Sequence, residues 1–331
     1  MDADTVRFLD DAFERSMKDH MSITKDDIIR MLSLNPESEE CEYMGKKARE
    51  LARKRSGNKA SVGTAFGLDY RACKASCNYC SFGERWGLMD GFDIEMSPEE
   101  IIELMESQMS RGYRKFTIRT TEYYPVDKLC KLAETIRSKV KGKFMLGVNT
   151  GELSPEDLVK LHDAGYNSAY HTLHLREGID TPFSPSVRLR TMKNIADSEM
   201  KLSSGIDPIG SEHTDEEIAD VLVTIREFDP MSICSMKRIN PKGTPVGDIP
   251  EVSDLRVAQI AAVIRFASGH NVSAVPPNRK AMEWGANGTS VGTGANPRDS
   301  VHDPSTIGKW RSDHDAVKQM FIECGYEIGG N

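Results

Sequence analysis

The chain has no apolar run approaching the ~18 residues a membrane-spanning helix needs, so no helical span is expected. It also lacks a basic excess: 43 Lys and Arg face 51 Asp and Glu, a formal net charge of −8. Nucleic-acid binding calls for a basic face, so no such partner is expected. Cysteine is scarce, with 7 in 331 residues. The count is odd and nothing suggests export, which argues against a disulfide framework. The opening Met1-Asp2-Ala3-Asp4-Thr5 is acidic and lacks the basic-then-apolar layout of a signal peptide. A soluble cytoplasmic protein is expected, in a compartment where thiols stay reduced. With 38% apolar and 28% charged residues, the chain can bury a large core, and its length suits one large α/β domain.

Three of those few cysteines fall within eight residues, in Cys73-Lys74-Ala75-Ser76-Cys77-Asn78-Tyr79-Cys80. The spacing C-x3-C-x2-C lets one turn of backbone aim three thiolates at one point. A structural zinc site closes with four ligands, and an electron-transfer cluster of four irons takes four cysteines. Three thiolates leave one iron of a cubane free for a non-protein ligand. Zinc would need a fourth ligand close by, and the nearest histidine along the chain is His20. The scattered Cys41, Cys130, Cys234 and Cys324 read as small buried hydrophobes.

Residues 1–55 read as a helical extension, with Thr24-Lys25-Asp26-Asp27 as a capping box and a second helical stretch over 37–54. Residues 56–331 read as the main domain. β-Prone runs occur at 61–67, 115–120, 144–149, 167–173, 201–206, 231–236, 270–275 and 288–292. Helix starts at Ser97, Ser154 and Thr214 each place a cap residue three before an acid. Gly112 and Gly165 end two helices 53 residues apart, each with a Tyr and a strand to follow. An open doubly wound sheet would give a similar alternation. The position of the cysteine loop after the first strand favours a (β/α)8 TIM-like barrel, whose sites lie at the strand ends.

The cysteine loop, with Tyr79 and Phe82 around its last thiol, resembles the cluster motif of the radical S-adenosylmethionine (radical SAM) superfamily. The resemblance covers roughly residues 55–300. It is nearest the branch of biotin synthase, the [FeFe]-hydrogenase maturase and methylornithine synthase, as in Asn240-Pro241-Lys242-Gly243-Thr244-Pro245. It implies a [4Fe-4S] cluster on Cys73, Cys77 and Cys80, with S-adenosylmethionine (SAM) on the open iron. Reductive cleavage would yield a 5′-deoxyadenosyl radical that takes hydrogen from a substrate. Glu122 matches the family's Gly-Gly-Glu, although Thr120 and Thr121 replace the glycines. Glu177 resembles a SAM-holding acid, and a later arginine partners it, Arg188 by register with Arg190 competing. Gly205 and Gly210 resemble a loop that lets backbone approach the adenosine.

A second cluster that donates sulfur would need more thiols near the strand ends. Cys234 and Cys130 have no partners, so a rearrangement or fragmentation in cofactor or unusual amino-acid biosynthesis is expected instead of sulfur insertion. Arg119, Tyr170, His174, Arg238, Asn278 and Arg279 form the expected substrate shell. Guanidiniums there suit a small carboxylate-bearing molecule, unless neighbours such as Asp207 and Glu283 pair with them. The Gly/Asn/Pro-rich stretch 284–306 reads as a lid or a long surface loop. The resemblance also implies a reductant such as ferredoxin or flavodoxin. A non-catalytic iron–sulfur carrier on the same barrel is the alternative.

Overall fold

Eight parallel strands close on themselves in the computed structural model, which describes residues 1–329. They are β1 (Lys59–Gly67), β2 (Lys115–Arg119), β3 (Met145–Asn149), β4 (Ser168–Tyr170), β5 (Lys201–Ile209), β6 (Ser232–Lys237), β7 (Asn271–Val275) and β8 (Gly288–Gly294). Each pairs with the next, and β8 returns to β1 in register from Ser61 opposite Gly288 to Gly67 opposite Gly294. All eight expected β-prone runs are barrel strands. A closed parallel sheet has no exposed edge, and a helix covers most crossovers. The open-sheet alternative is thereby excluded.

Local chemistry sets the helix starts. Capping boxes form at Thr24, Ser97, Ser154 and Thr214, the four positions the sequence marks. Each satisfies backbone N–H groups that the first helical turn leaves without partners. Gly165 ends its helix at φ 113°, a conformation that costs other residues a Cβ clash.

Two strands depart from their expected lengths. β4 stops at Tyr170, short of 173, and β5 runs on to Ile209 through Pro208. Proline has no N–H for the ladder, and the β5–β6 register shifts between Ile206 and Ile209. That irregularity brings Asp207 to the mouth of the barrel.

Helices α1 (Ala3–Lys18), α2 (Lys25–Leu32) and α3 (Glu39–Ser56) pack on the helix Asp254–Ala267. Every residue of that helix from Val257 to Ala267 is buried, so it is enclosed on all sides rather than on one stripe. Its polar Gln259 is satisfied across the contact by the carbonyls of Met31, Leu32 and Leu34. Burial of each large aliphatic side chain here contributes roughly 1.5–3 kcal/mol. The three N-terminal helices are therefore an integral cover for one side of the barrel. Among the described residues, no helix is long and apolar enough to cross a membrane.

Candidate active site

A cavity of about 520 Å³ opens at the C-terminal ends of the strands, within the size range of small-molecule sites. The cysteine loop follows β1 and forms part of its wall. The loop is held from within: Cys73 N–H donates to Phe82 O at 2.6 Å, Cys80 N–H to Cys77 O at 3.0 Å, and Glu84 N–H to Cys73 O at 2.9 Å. Ser76 takes a left-handed φ of 48° to make the turn. Asn78 anchors the loop to Asp180 through both backbone and side chain.

The segment after β8 anchors it as well. Ser81 donates from backbone and hydroxyl to Pro297 O, and His302 Nε2 lies 3.0 Å from the Ser81 hydroxyl. Residues 288–294 are thus a barrel strand, and the chain beyond them is bound to the cysteine loop. Neither a free lid nor a plain surface loop describes this stretch.

Burial pushes the Cys80 thiol up to about 12 and raises Cys73 and Cys77 too, with the sulfurs adding to one another's cost. Thiols in that state become ligands only with a cation to stabilise the thiolates. The three sulfurs do not all lie within 4.8 Å of one another, since the one group of described residues that close is Asp180, Glu212 and His213. Thiolates around a single zinc, at ~2.3 Å each, would sit roughly 3.8 Å apart. Three thiols, one short of the four that close a structural zinc site, suit an iron–sulfur group with one metal position left open.

Beside the loop stands Arg188, on the helix Pro185–Ala196 and only 3% exposed at its side chain. Its Nη1 donates to Glu122 Oε1 at 3.0 Å and Glu152 Oε1 at 2.6 Å. Glu177 Oε2 lies 3.5 Å from its Nε, which has no hydrogen-bond partner. Arg190, by contrast, is exposed, whereas Arg188 lines the cavity. Glu177 also accepts from His174 at 2.7 Å and from Thr181. Burial alone would raise its carboxyl, but His174, Arg188 and Thr181 bring it down to about 2. For His174, burial works against the charge, yet Glu177 and Asp207 hold its pKa above the ordinary value.

The threonines that replace the expected glycines turn their polar atoms to the protein. Thr121 donates from N–H and hydroxyl to buried Asp69, at 2.9 and 2.5 Å. The Thr120 hydroxyl binds that of Thr150. Glu122 is set by a close backbone approach. A Cβ on Gly151 would lie 1.9 Å from Glu122 O, so only glycine fits there.

Tyr79, Tyr170 and His174 line the cavity as expected. The Tyr170 hydroxyl donates to Asp207 Oδ2 at 2.6 Å, and burial keeps this phenol protonated. Four expectations change. Asn278 caps the short helix Arg279–Glu283 and binds Asp254 O, outside the cavity. Arg279 points to the surface, where it pairs with Glu323 and Glu283. Both turn outward because the chain re-enters a helix directly after β7. Gly205 and Gly210 do not line the cavity either. The space above Gly205 belongs to the Tyr170 hydroxyl and that above Gly210 to Arg238 and Glu212, so their missing side chains make room for protein. Arg238 does line the cavity, but Glu212 and Asn240 engage its guanidinium.

Charged residues in or against this site that the sequence did not single out include Asp69, Glu152, Arg298 and Arg311. Glu152 stands just beyond the end of β3, where barrel chemistry is built, so its position alone was a usable signal. Arg298 had none, since it lies in a loop.

Barrel, thiol loop and cavity together define an α/β barrel with a strand-end site whose three thiols suit an iron–sulfur group. Residues 68–225 match the Radical SAM superfamily model, so this part of the chain is a radical SAM domain. Domains of this family use a [4Fe-4S] cluster and SAM. A biotin synthase of Streptomyces avermitilis is 24% identical over 220 residues, 63% of this chain, and the match spans 56% of that relative's length. Among solved structures, methylornithine synthase (PylB) superposes with TM-score 0.78 at 16% identity, covering 96% of this chain and 97% of that one. HydG, a maturase of the [FeFe]-hydrogenase, gives 0.80 at 18% identity, covering 99% and 76%. At such identities the two structures speak for the shared fold.

Proposed function

We propose that this protein is a radical SAM enzyme that rearranges or fragments a small carboxylate-bearing molecule. In this reading Cys73, Cys77 and Cys80 hold the cluster, and Glu122, Glu177 and Arg188 hold the amino-acid end of SAM beside it. When bound, the cofactor pair supplies one-electron cleavage of a sulfonium and hydrogen-atom abstraction. The chain supplies placement and dryness. Arg188 is fixed by three carboxylates and so presents its remaining edge at a set position. Tyr79 packs against His174 with ring centroids 6.0 Å apart, closing the space above the loop. Tyr170 and Asp207 hold a proton between them on the substrate side. A small-molecule substrate and an external reductant such as ferredoxin or flavodoxin complete the system.

The observation that carries this reading is one cavity lined jointly by the three cysteines, Glu122 and Arg188. A cluster carrier has no use for a charged cradle beside its metal. Sulfur insertion is disfavoured because, among the described residues, Cys73, Cys77 and Cys80 are the only cysteines lining that cavity. The test is anaerobic reconstitution with iron and sulfide, then dithionite and SAM. Formation of 5′-deoxyadenosine is expected, whereas a bound cluster without that product would leave the carrier in its place.

A further inference from the structure

The cavity has a second charged region that the cofactors do not account for. On the side formed by β2, β8 and the chain after β8, it is lined by Arg119, Arg298 and Arg311 with a single acid, Asp299. Arg311 chelates that acid, donating to both carboxylate oxygens at 2.7 and 2.8 Å, and also donates to Gly294 O. This leaves two guanidiniums unmatched.

The Arg119 side chain makes no hydrogen bond among the described residues, and its Nε and Nη2 are shut off from solvent without an acceptor. Arg298 reaches only Asn296 Oδ1, at 3.4 Å, and its Nη1 is likewise buried and unpaired. Arg119 lies along Gly292, where an added Cβ would sit 3.2 Å from Nη2. The strand is thus cut away to seat it. Burial and the neighbouring Arg298 and Arg311 bring its pKa down to about 9, still mostly charged at neutral pH.

A buried charge without a partner costs several kcal/mol in order of magnitude, and proteins rarely keep two side by side. The usual remedy, an adjacent carboxylate, is what Arg188 and Arg238 in the same cavity have. We propose that Arg119 and Arg298 form a subsite for a doubly charged anionic headgroup, either a phosphate monoester or a dicarboxylate, on the substrate. This rests on the functional reading above and narrows its substrate class. A single carboxylate would neutralise one guanidinium and leave the other bare. Planar guanidiniums suit both headgroups, because each presents paired oxygens to the fork.

The test is the thermal midpoint of cluster-reconstituted protein titrated with phosphate, malonate or acetate, without SAM or reductant. The outcome therefore does not depend on the radical reaction. At least one dianion is expected to bind about tenfold or more tightly than acetate. Arg119→Gln and Arg298→Gln should each erase that preference, and surface Arg279→Gln should keep it. The tighter dianion identifies the headgroup. Arg119→Met should also raise the midpoint of ligand-free protein, because it removes an unpaired charge while keeping an apolar stem. Equal protection by acetate, an undiminished preference in either cavity variant, or a lower midpoint for Arg119→Met would overturn the subsite.

Discussion

Two arginine environments in one cavity show how differently a barrel can spend positive charge. Arg188 is surrounded by Glu122, Glu152 and Glu177 within 3.5 Å. Arg119 and Arg298 have no carboxylate partner. The first guanidinium is neutralised in the folded protein, so its geometry is set before any ligand arrives. The second pair is left for a ligand to neutralise. A compensated charge thus marks a preorganised cradle, and an uncompensated one marks a vacancy for the opposite charge.

The comparison can be broken most severely at the cluster. Cys77→Ala should abolish assembly, read as loss of iron, sulfide and the visible absorbance after reconstitution, and a normal cluster spectrum would overturn the ligand assignment. Next is the cradle itself. Arg188→Leu strands three carboxylates and should destabilise the protein by about 3–5 kcal/mol in urea unfolding. A loss below 1 kcal/mol would mean that the acids are satisfied without it.

A smaller effect is expected from Glu122→Ala. The cluster should remain, while SAM affinity falls roughly ten- to a hundredfold, as for a lost charge-assisted hydrogen bond of about 1.5–3 kcal/mol. Unchanged affinity by equilibrium dialysis would remove Glu122 from the cofactor site.

The mildest test sharpens the contrast through pH. His174 has a raised pKa in the folded protein, so its contribution is full below about 6.5 and lost as pH climbs through the raised value. Glu177 is depressed to about 2, so its contribution is present above about 4.5 and lost as pH falls through that value. Their pair is therefore strongest between about pH 4.5 and 6.5. The gap in thermal midpoint between the wild type and His174→Gln should be widest in that window and narrow toward pH 9. A gap independent of pH would show that His174 acts by packing alone.

Much of this was legible beforehand, and for local reasons. Capping boxes, positive-φ glycines and β-prone runs act within a few residues, so the eight strands and four box-capped helices could be read directly. The C-x3-C-x2-C loop was equally plain, because its three thiols are neighbours in the chain. Asn278 and Arg279 misled for the converse reason. Both lie just after a strand, yet one turn of helix carries them outside the barrel. Gly205 and Gly210 matched a pattern whose space Tyr170 and Arg238 occupy here.

The chain by itself determined the barrel, the three-cysteine loop and the acidic balance, since these follow from composition, spacing and periodicity along one dimension. Tertiary structure alone decided which charges meet. Arg188 finds Glu122 and Glu152 across 66 and 36 residues, while Arg119 and Arg298 come together beside one acid, Asp299, that Arg311 already holds. Electrostatic compensation depends on distance and burial in three dimensions, and neither is written in the order of residues.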